Sequence, residues 1–80
     1  MIEDFVRDGR IVSISRSGPD RFAVLEWVVA DFDTGTQYSE KMVNLVLGKR
    51  TSDTAALRRA LVDESFLARD HGVYWRPETA

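Results

Sequence analysis

Three observations predict a small α+β domain. The middle of the chain carries three segments with helical spacing or helix-capping residues. A short β-branched segment precedes them, and a glycine-centred reversal between two apolar segments follows. Strand, helix, helix, helix, hairpin, with only a brief turn between the second and third helices, is the element order of a winged helix-turn-helix domain. The chain has 80 residues, 44% hydrophobic and 30% charged, which allows one domain with one core and is unlike the composition of a disordered chain.

The first strand is placed over residues 10–14, where Ile11, Val12 and Ile14 follow the breaker Asp8-Gly9. Ser17-Gly18-Pro19-Asp20 is a helix entry. Proline at the first helical position has the right φ and lacks a donor that would be orphaned there, and Asp20 complements the helix dipole. The first helix is expected over 19–32, with Phe22, Leu25, Val28, Val29 and Phe32 on one face. Ala23, Val24, Trp27 and Ala30 are apolar too, so it is expected to be buried on most sides. The stretch 22–29 also has high β propensity, and a central strand is the competing assignment.

Residues 33–37 read as a loop. Ser39 is the expected N-cap of a second helix ending at Gly48, with Tyr38 and Val43 at the positions of a hydrophobic staple and Met42, Val43, Val46 and Leu47 inward. Gly48 is expected to close it in the left-handed conformation. Residues 49–51 turn the chain, Ser52 or Asp53 caps the third helix, and Leu57, Ala60 and Leu61 form its inner stripe as far as about Glu64. Strands over 66–69 and 73–76 flank Asp70-His71-Gly72, and Pro77 ends the pairing.

Composition excludes several function classes. The chain has no cysteine, so disulfides, thiolate metal sites and thiol chemistry are ruled out. A domain of this size buries only about 60% of its unfolded surface, so its stability is modest and self-association is one way to raise it. His71 is the only histidine and has no nucleophile or ligand set spaced around it. The acidic pairs Asp31/Asp33 and Asp63/Glu64 fall at surface or cap positions, and no glycine-rich phosphate loop occurs. No catalytic residue, metal or cofactor is expected, and the chain is not expected to be an enzyme. The acidic first residues and the lack of a long apolar run argue against a signal peptide or membrane span, which leads us to expect a cytoplasmic protein with no membrane partner.

The formal net charge is -2, the wrong sign for nucleic-acid binding by bulk electrostatics. The charges are distributed unevenly, however. Residues 1–48 carry five basic and eight acidic side chains, whereas 49–76 carry six basic (Lys49, Arg50, Arg58, Arg59, Arg69, Arg76) and four acidic (Asp53, Asp63, Glu64, Asp70). With Leu57 at the centre of the third helix's inner face, a 100° step per residue turns Ala55, Arg58, Arg59 and Val62 outward. Small residues such as Thr54 and Ala55 near its start let backbone approach a duplex, and Arg58 or Arg59 reaches a guanine edge or a phosphate. Lys49 and Arg50 in the preceding turn and Arg69 on the hairpin complete the candidate DNA-binding set. The structural reading of the same residues pairs Arg59 with Asp63 at i,i+4, leaves Arg58 solvated or covering the core, and ties Lys49 and Arg50 to a helix C-terminus. Asn44, a polar residue among apolar neighbours, either bonds the following turn or faces solvent.

Three segments carry a family resemblance: Tyr38-Ser39-Glu40-Lys41-Met42-Val43-Asn44, Ala56-Leu57-Arg58-Arg59-Ala60-Leu61-Val62-Asp63, and Leu67-Ala68-Arg69-Asp70 with Tyr74-Trp75-Arg76. They resemble a bacterial family of small winged-helix-like domains of unknown function. The resemblance runs from about Asp8 to Arg76 and is most specific at Leu57-Arg58-Arg59 and Tyr74-Trp75-Arg76. The chain departs from the family pattern in having fewer basic residues ahead of the first helix, at 15–19. Because members occur alone or at the C-terminus of transcriptional regulators, the resemblance implies a winged-helix fold and a regulatory context but supplies no ligand.

Two functions follow as expectations. The first is a DNA-binding or transcription-associated module that presents the third helix to double-stranded DNA. The alternative is an interaction module that binds another protein or a second copy of itself through an apolar surface formed by Val24 and Trp27 of the first helix and Trp75 of the hairpin.

Overall fold

The computed structural model describes residues 2–14 and 18–78. A 3-10 turn at Ile2–Asp4 leads into a two-stranded antiparallel hairpin, β1 (Val6–Arg7) and β2 (Arg10–Ile11). Helix α1 spans Gly18–Val29 and is followed by β3 (Gln37–Ser39), α2 (Glu40–Leu47), α3 (Thr54–Asp63), β4 (Ala68–Asp70) and β5 (Val73–Trp75). The fold is a small α+β arrangement of three helices and two antiparallel sheets. None of the described helices is long and apolar enough to cross a membrane.

The second sheet has the order β3-β5-β4. Gln37, Tyr38 and Ser39 face Trp75, Tyr74 and Val73, while Ala68, Arg69 and Asp70 face the same three residues from the other side. The turn between β4 and β5 is His71-Gly72, with φ of 50° and 78°. Two consecutive positive φ values match the right-handed twist of the flanking strands, and the glycine makes the second one strain-free. Asp8-Gly9, at 53° and 76°, closes the β1–β2 hairpin by the same device.

The core is formed by Val24, Leu25, Val28, Val29 and Phe32 from α1 and the turn after it. Val43 and Leu47 join from α2, Leu57, Ala60 and Leu61 from α3, and Leu67 and Tyr74 from the sheet end. Helix α2 packs on α3 and β5, and α1 packs on α3. Ser39 caps α2, its Oγ accepting from the Met42 amide at 3.2 Å. Asp53 caps α3, its Oδ1 accepting from the Ala56 amide at 3.1 Å. At the other end of α3, Ser65 adopts φ 65°, the Phe66 amide reaches the Leu61 carbonyl at 2.8 Å, and the Ser65 amide reaches Val62 at 3.0 Å. That is a Schellman closure with serine where glycine is usual.

Several sequence expectations need correction. The first strand covers only residues 10–11 of the expected 10–14, and it pairs with a β1 that was not expected. Residues 15–17, which include part of the expected helix entry, lie outside the described residues. The first helix forms in preference to the strand alternative but stops at Val29, and Phe32 reaches the core from the turn beyond. Its buried face is rotated, so Val24 is fully buried while Phe22 is 50% exposed and rests edge-on against Phe66 at 5.1 Å between ring centroids. Gly48 sits at φ -60° rather than in the left-handed region, because the chain keeps turning in helical sense: Gly48, Arg50 and Thr51 donate back to Asn44 and Leu47. Met42, expected inside, is exposed. The loop read over 33–37 ends in β3. The expected strands at 66–69 and 73–76 are displaced to 68–70 and 73–75, because the reversal takes only two residues.

Candidate functional site

The surface built by α3, the start of α2 and the β4–β5 hairpin gathers most of the basic residues singled out from the sequence. The outward stripe of α3 consists of Ala56, Arg59 and Asp63, whereas Thr54, Ala55, Arg58 and Val62 are half-buried. Leu57, Ala60 and Leu61 point into the core as expected, but of Ala55, Arg58, Arg59 and Val62 only Arg59 is fully turned outward.

Arg58 belongs to a polar network between elements. Its Nη1 donates to Asn44 Oδ1 at 2.6 Å, its Nε lies 3.8 Å from Glu40 Oε1, and Glu40 Oε1 accepts from the hydroxyl of the buried Tyr74 at 3.1 Å. Asn44 and Glu40 share one face of α2 at i,i+4, so the network joins α2, α3 and β5. Its members explain one another: the tyrosine hydroxyl finds an acceptor and the half-buried guanidinium finds countercharge. The sequence marks Asn44 as a polar residue among apolar neighbours but does not name its partner, and Glu40 carries no local signal because its two partners lie on other elements.

Arg50 also looks inward. Its Nε and Nη2 donate to Asp31 Oδ2 and Oδ1 at 2.8 and 3.0 Å, its Nη1 donates to the Gly9 carbonyl at 2.9 Å, and its guanidinium lies 4.5 Å from the centre of the Trp27 ring. The hydrogen bond to Asp31 raises the Arg50 pKa above its ordinary value, the Asp31 charge adds to the rise, and burial opposes it. A cation with a raised folded pKa contributes its stability in full below the unfolded value, so this interaction persists through the neutral and moderately alkaline range. The same turn holds the N-terminal hairpin: the Ile11 amide donates to the Arg50 carbonyl at 2.6 Å, and Arg10 Nη1 donates to the carbonyls of Gly48 and Lys49 at 3.1 and 3.2 Å.

Lys49, Arg59 and Arg69 are exposed, and none forms an ion pair among the described residues. The Arg59–Asp63 pair expected from their i,i+4 spacing is not made. Arg69 lies over the Tyr74 ring at 5.7 Å. A cleft of about 280 Å3 opens between α3 and the hairpin, lined by Glu40, Arg58, Arg59, Val62, Asp63, Arg69 and Tyr74. On the other flank of Arg59 a more apolar groove of about 390 Å3 runs between α3 and the segment after β2, with Ile11, Ile14, Ala56 and Leu57 among its walls.

Of the alternative apolar surface, Val24 is a core residue and cannot contact a partner. Trp27 is half-buried against the core and covered by Arg50, and Trp75 is half-buried. Among the described residues, the large apolar side chains that do face solvent are Val12, Ile14, Phe22, Met42 and Leu45. His71 is exposed at the hairpin turn, its Nδ1 2.7 Å from Asp70 Oδ1. No group of three or more metal-ligating side chains occurs among the described residues.

These features define a small α+β domain with an arginine-lined cleft on one face. The chain belongs to a bacterial family, DUF2087, described as an uncharacterized protein conserved in bacteria, whose model matches residues 10–76. No curated protein and no solved structure matches the chain.

Proposed function

We propose that the chain is a winged-helix module of transcriptional regulation that binds duplex DNA through α3 and the β4–β5 hairpin. The order of elements supports the fold assignment. Strand β3 runs directly into α2, six residues (48–53) join α2 to α3, and the hairpin after α3 brings β5 back to pair with β3. In that arrangement α3 is the recognition helix and the hairpin is the wing.

One observation carries the functional reading: Arg59 on α3 and Arg69 on the hairpin line one cleft with their charges unpaired by any described carboxylate. Lys49, at the turn before α3, is the third available cation. Thr54 and Ala55 at the start of α3 are small enough for close approach. Arg50 and Arg58 serve the site indirectly, Arg50 by fixing the turn and Arg58 by fixing α3 on α2.

Three phosphate contacts imply a slope of log affinity against log salt of about -2.7, equivalent to roughly 40-fold weaker binding at 200 mM than at 50 mM salt. Fluorescence anisotropy with a mixed-sequence duplex measures it. Arg59→Ala with Arg69→Ala should flatten the slope by about 2 while far-UV circular dichroism stays unchanged. A slope near zero in the parent protein overturns the duplex reading.

A second reading rests on Met42 and Leu45, 48% and 59% exposed and three residues apart on α2. They form an apolar spot suited to a protein partner or a second copy, in place of the surface expected around Val24, Trp27 and Trp75. Sedimentation equilibrium of the parent chain and of Leu45→Glu separates a self-associating domain from a monomer.

A further inference from the structure

We infer that the cleft between α3 and the β4–β5 hairpin is a binding site for a small monocarboxylic acid, which excludes duplex DNA by occupying Arg59 and Arg69. Carboxylate binding stands on the cleft alone; only the exclusion of DNA rests on the function proposed above.

The cleft's own composition selects the ligand class. Three guanidinium groups, those of Arg58, Arg59 and Arg69, and two carboxylates, those of Glu40 and Asp63, line it. Glu40 is the countercharge of Arg58, and Asp63 offsets one of the remaining two cations at longer range, so the walls carry one net positive charge. A monoanion neutralises that excess, whereas a dianion would leave a net negative charge beside Glu40 and Asp63.

The available donors fit a planar anion. The Arg58 side chain is only 14% exposed, and Asn44 takes its Nη1 alone. Its Nε and Nη2 have no hydrogen-bond acceptor among the described residues. A guanidinium held in place with Nη2 unspent and Nε only loosely paired, 3.8 Å from Glu40, is preorganised for a carboxylate, which accepts two parallel N–H bonds from such a fork. Arg59 and Arg69 approach from opposite walls, one on a helix and one on a strand, and supply the remaining donors.

Val62 gives the cleft an aliphatic wall, and Arg69 over the Tyr74 ring gives it a flat cationic one. An unsaturated or aromatic hydrocarbon fits between these walls. At about 280 Å3 the space is near the lower end for small-molecule sites, about 300 Å3, which suits an acid of benzoate size rather than a nucleotide.

Benzoate is the probe, with benzamide as its neutral isostere and inorganic phosphate as the alternative anion. In NMR titrations of the full 80-residue chain, benzoate should shift the amides of residues 58–62 and 69 and the Arg58 Nε–H signal. Benzamide and phosphate should shift them weakly or not at all. Arg69→Gln should weaken benzoate about tenfold, the equivalent of one charge-assisted hydrogen bond, with the remaining spectrum unchanged. Lys49→Gln, outside the cleft, should leave benzoate affinity unaltered. Equal shifts with benzamide, phosphate binding tighter than benzoate, or unaltered benzoate affinity in Arg69→Gln each overturn the site.

Duplex anisotropy then tests exclusion. Saturating benzoate should weaken duplex binding at least tenfold at constant ionic strength. Benzoate binding without any effect on bound duplex overturns the exclusion and leaves the carboxylate site. Benzoate binding in a chain that never binds duplex overturns exclusion together with the proposed function, and again leaves the site.

Discussion

Replacing Arg50 by alanine tests whether the turn between α2 and α3 is held from within. One guanidinium makes a two-pronged pair with Asp31, a hydrogen bond to the Gly9 carbonyl and a stacked contact with Trp27. Its side chain is 27% exposed and that of Asp31 26%, so solvent screens the pair in part, and well-aligned geometry leaves about 1 kcal/mol. The stack adds about 1 kcal/mol and the charge-assisted bond to Gly9 about 1.5 kcal/mol. These terms overlap because they share one group, and the expected loss is about 3 kcal/mol, against a stability of roughly 4–12 kcal/mol for a chain of this length. The midpoint of thermal unfolding should fall by roughly 15 °C. Urea denaturation of Arg50→Ala, Asp31→Ala and the double variant reads both the total and the pairwise term, which should be about 1 kcal/mol. Arg50→Lys should recover only part of the loss, since an ammonium cannot engage both Asp31 oxygens and stack at once. A loss below about 1 kcal/mol for Arg50→Ala, or a loss of duplex affinity at full stability, would refute an inward structural role for this arginine.

Two further outcomes are expected. Ser65→Gly relieves a left-handed serine at the end of α3 and should stabilise the domain by about 0.5–1 kcal/mol in urea denaturation, the opposite sign to most substitutions. Tyr74→Phe removes the hydroxyl that bonds Glu40 and should destabilise by about 1 kcal/mol, with the aromatic packing of the core retained in near-UV circular dichroism.

What was legible in the sequence was local. Ser39 was readable as a cap because a cap needs only the amide three residues on, and the same rule narrowed the cap of α3 to Ser52 or Asp53, of which Asp53 takes the role. The Leu57, Ala60 and Leu61 stripe was readable because a helix repeats within its own length, and the reversal at Asp70-His71-Gly72 was readable from its glycine, although Asp70 belongs to β4 and the turn takes only His71-Gly72. Phe22 and Val24 exchanged roles because Ala23, Val24, Trp27 and Ala30 extend apolar character around α1 beyond its expected face, so periodicity could not fix its rotation. Strand β3 has three residues and exists through its pairing with β5, 34 or more positions later in the chain. Arg50 with Asp31, and Arg58 with Asn44 and Glu40, met across 14–19 positions, a range over which an arginine's charge announces no partner. The cationic residues were therefore identified from the sequence while their division into inward and outward groups was not. That division leaves Lys49, Arg59 and Arg69 facing solvent.

The sheet order β3-β5-β4 bears on how a ribosome delivers this protein. The middle strand is made after both of its neighbours, and β3 must wait through some 34 further residues, roughly 2–7 s of translation, before a partner emerges. Helices form in about a microsecond, so during that interval α1, α2 and α3 are free to dock while Tyr38 and Arg69 remain without the tyrosine that will lie between their strands. The nascent chain is at that stage a helical assembly with two open backbone edges, the form most prone to mispair with a neighbour on the same polysome. Arrival of Val73, Tyr74 and Trp75 seals both edges in one step.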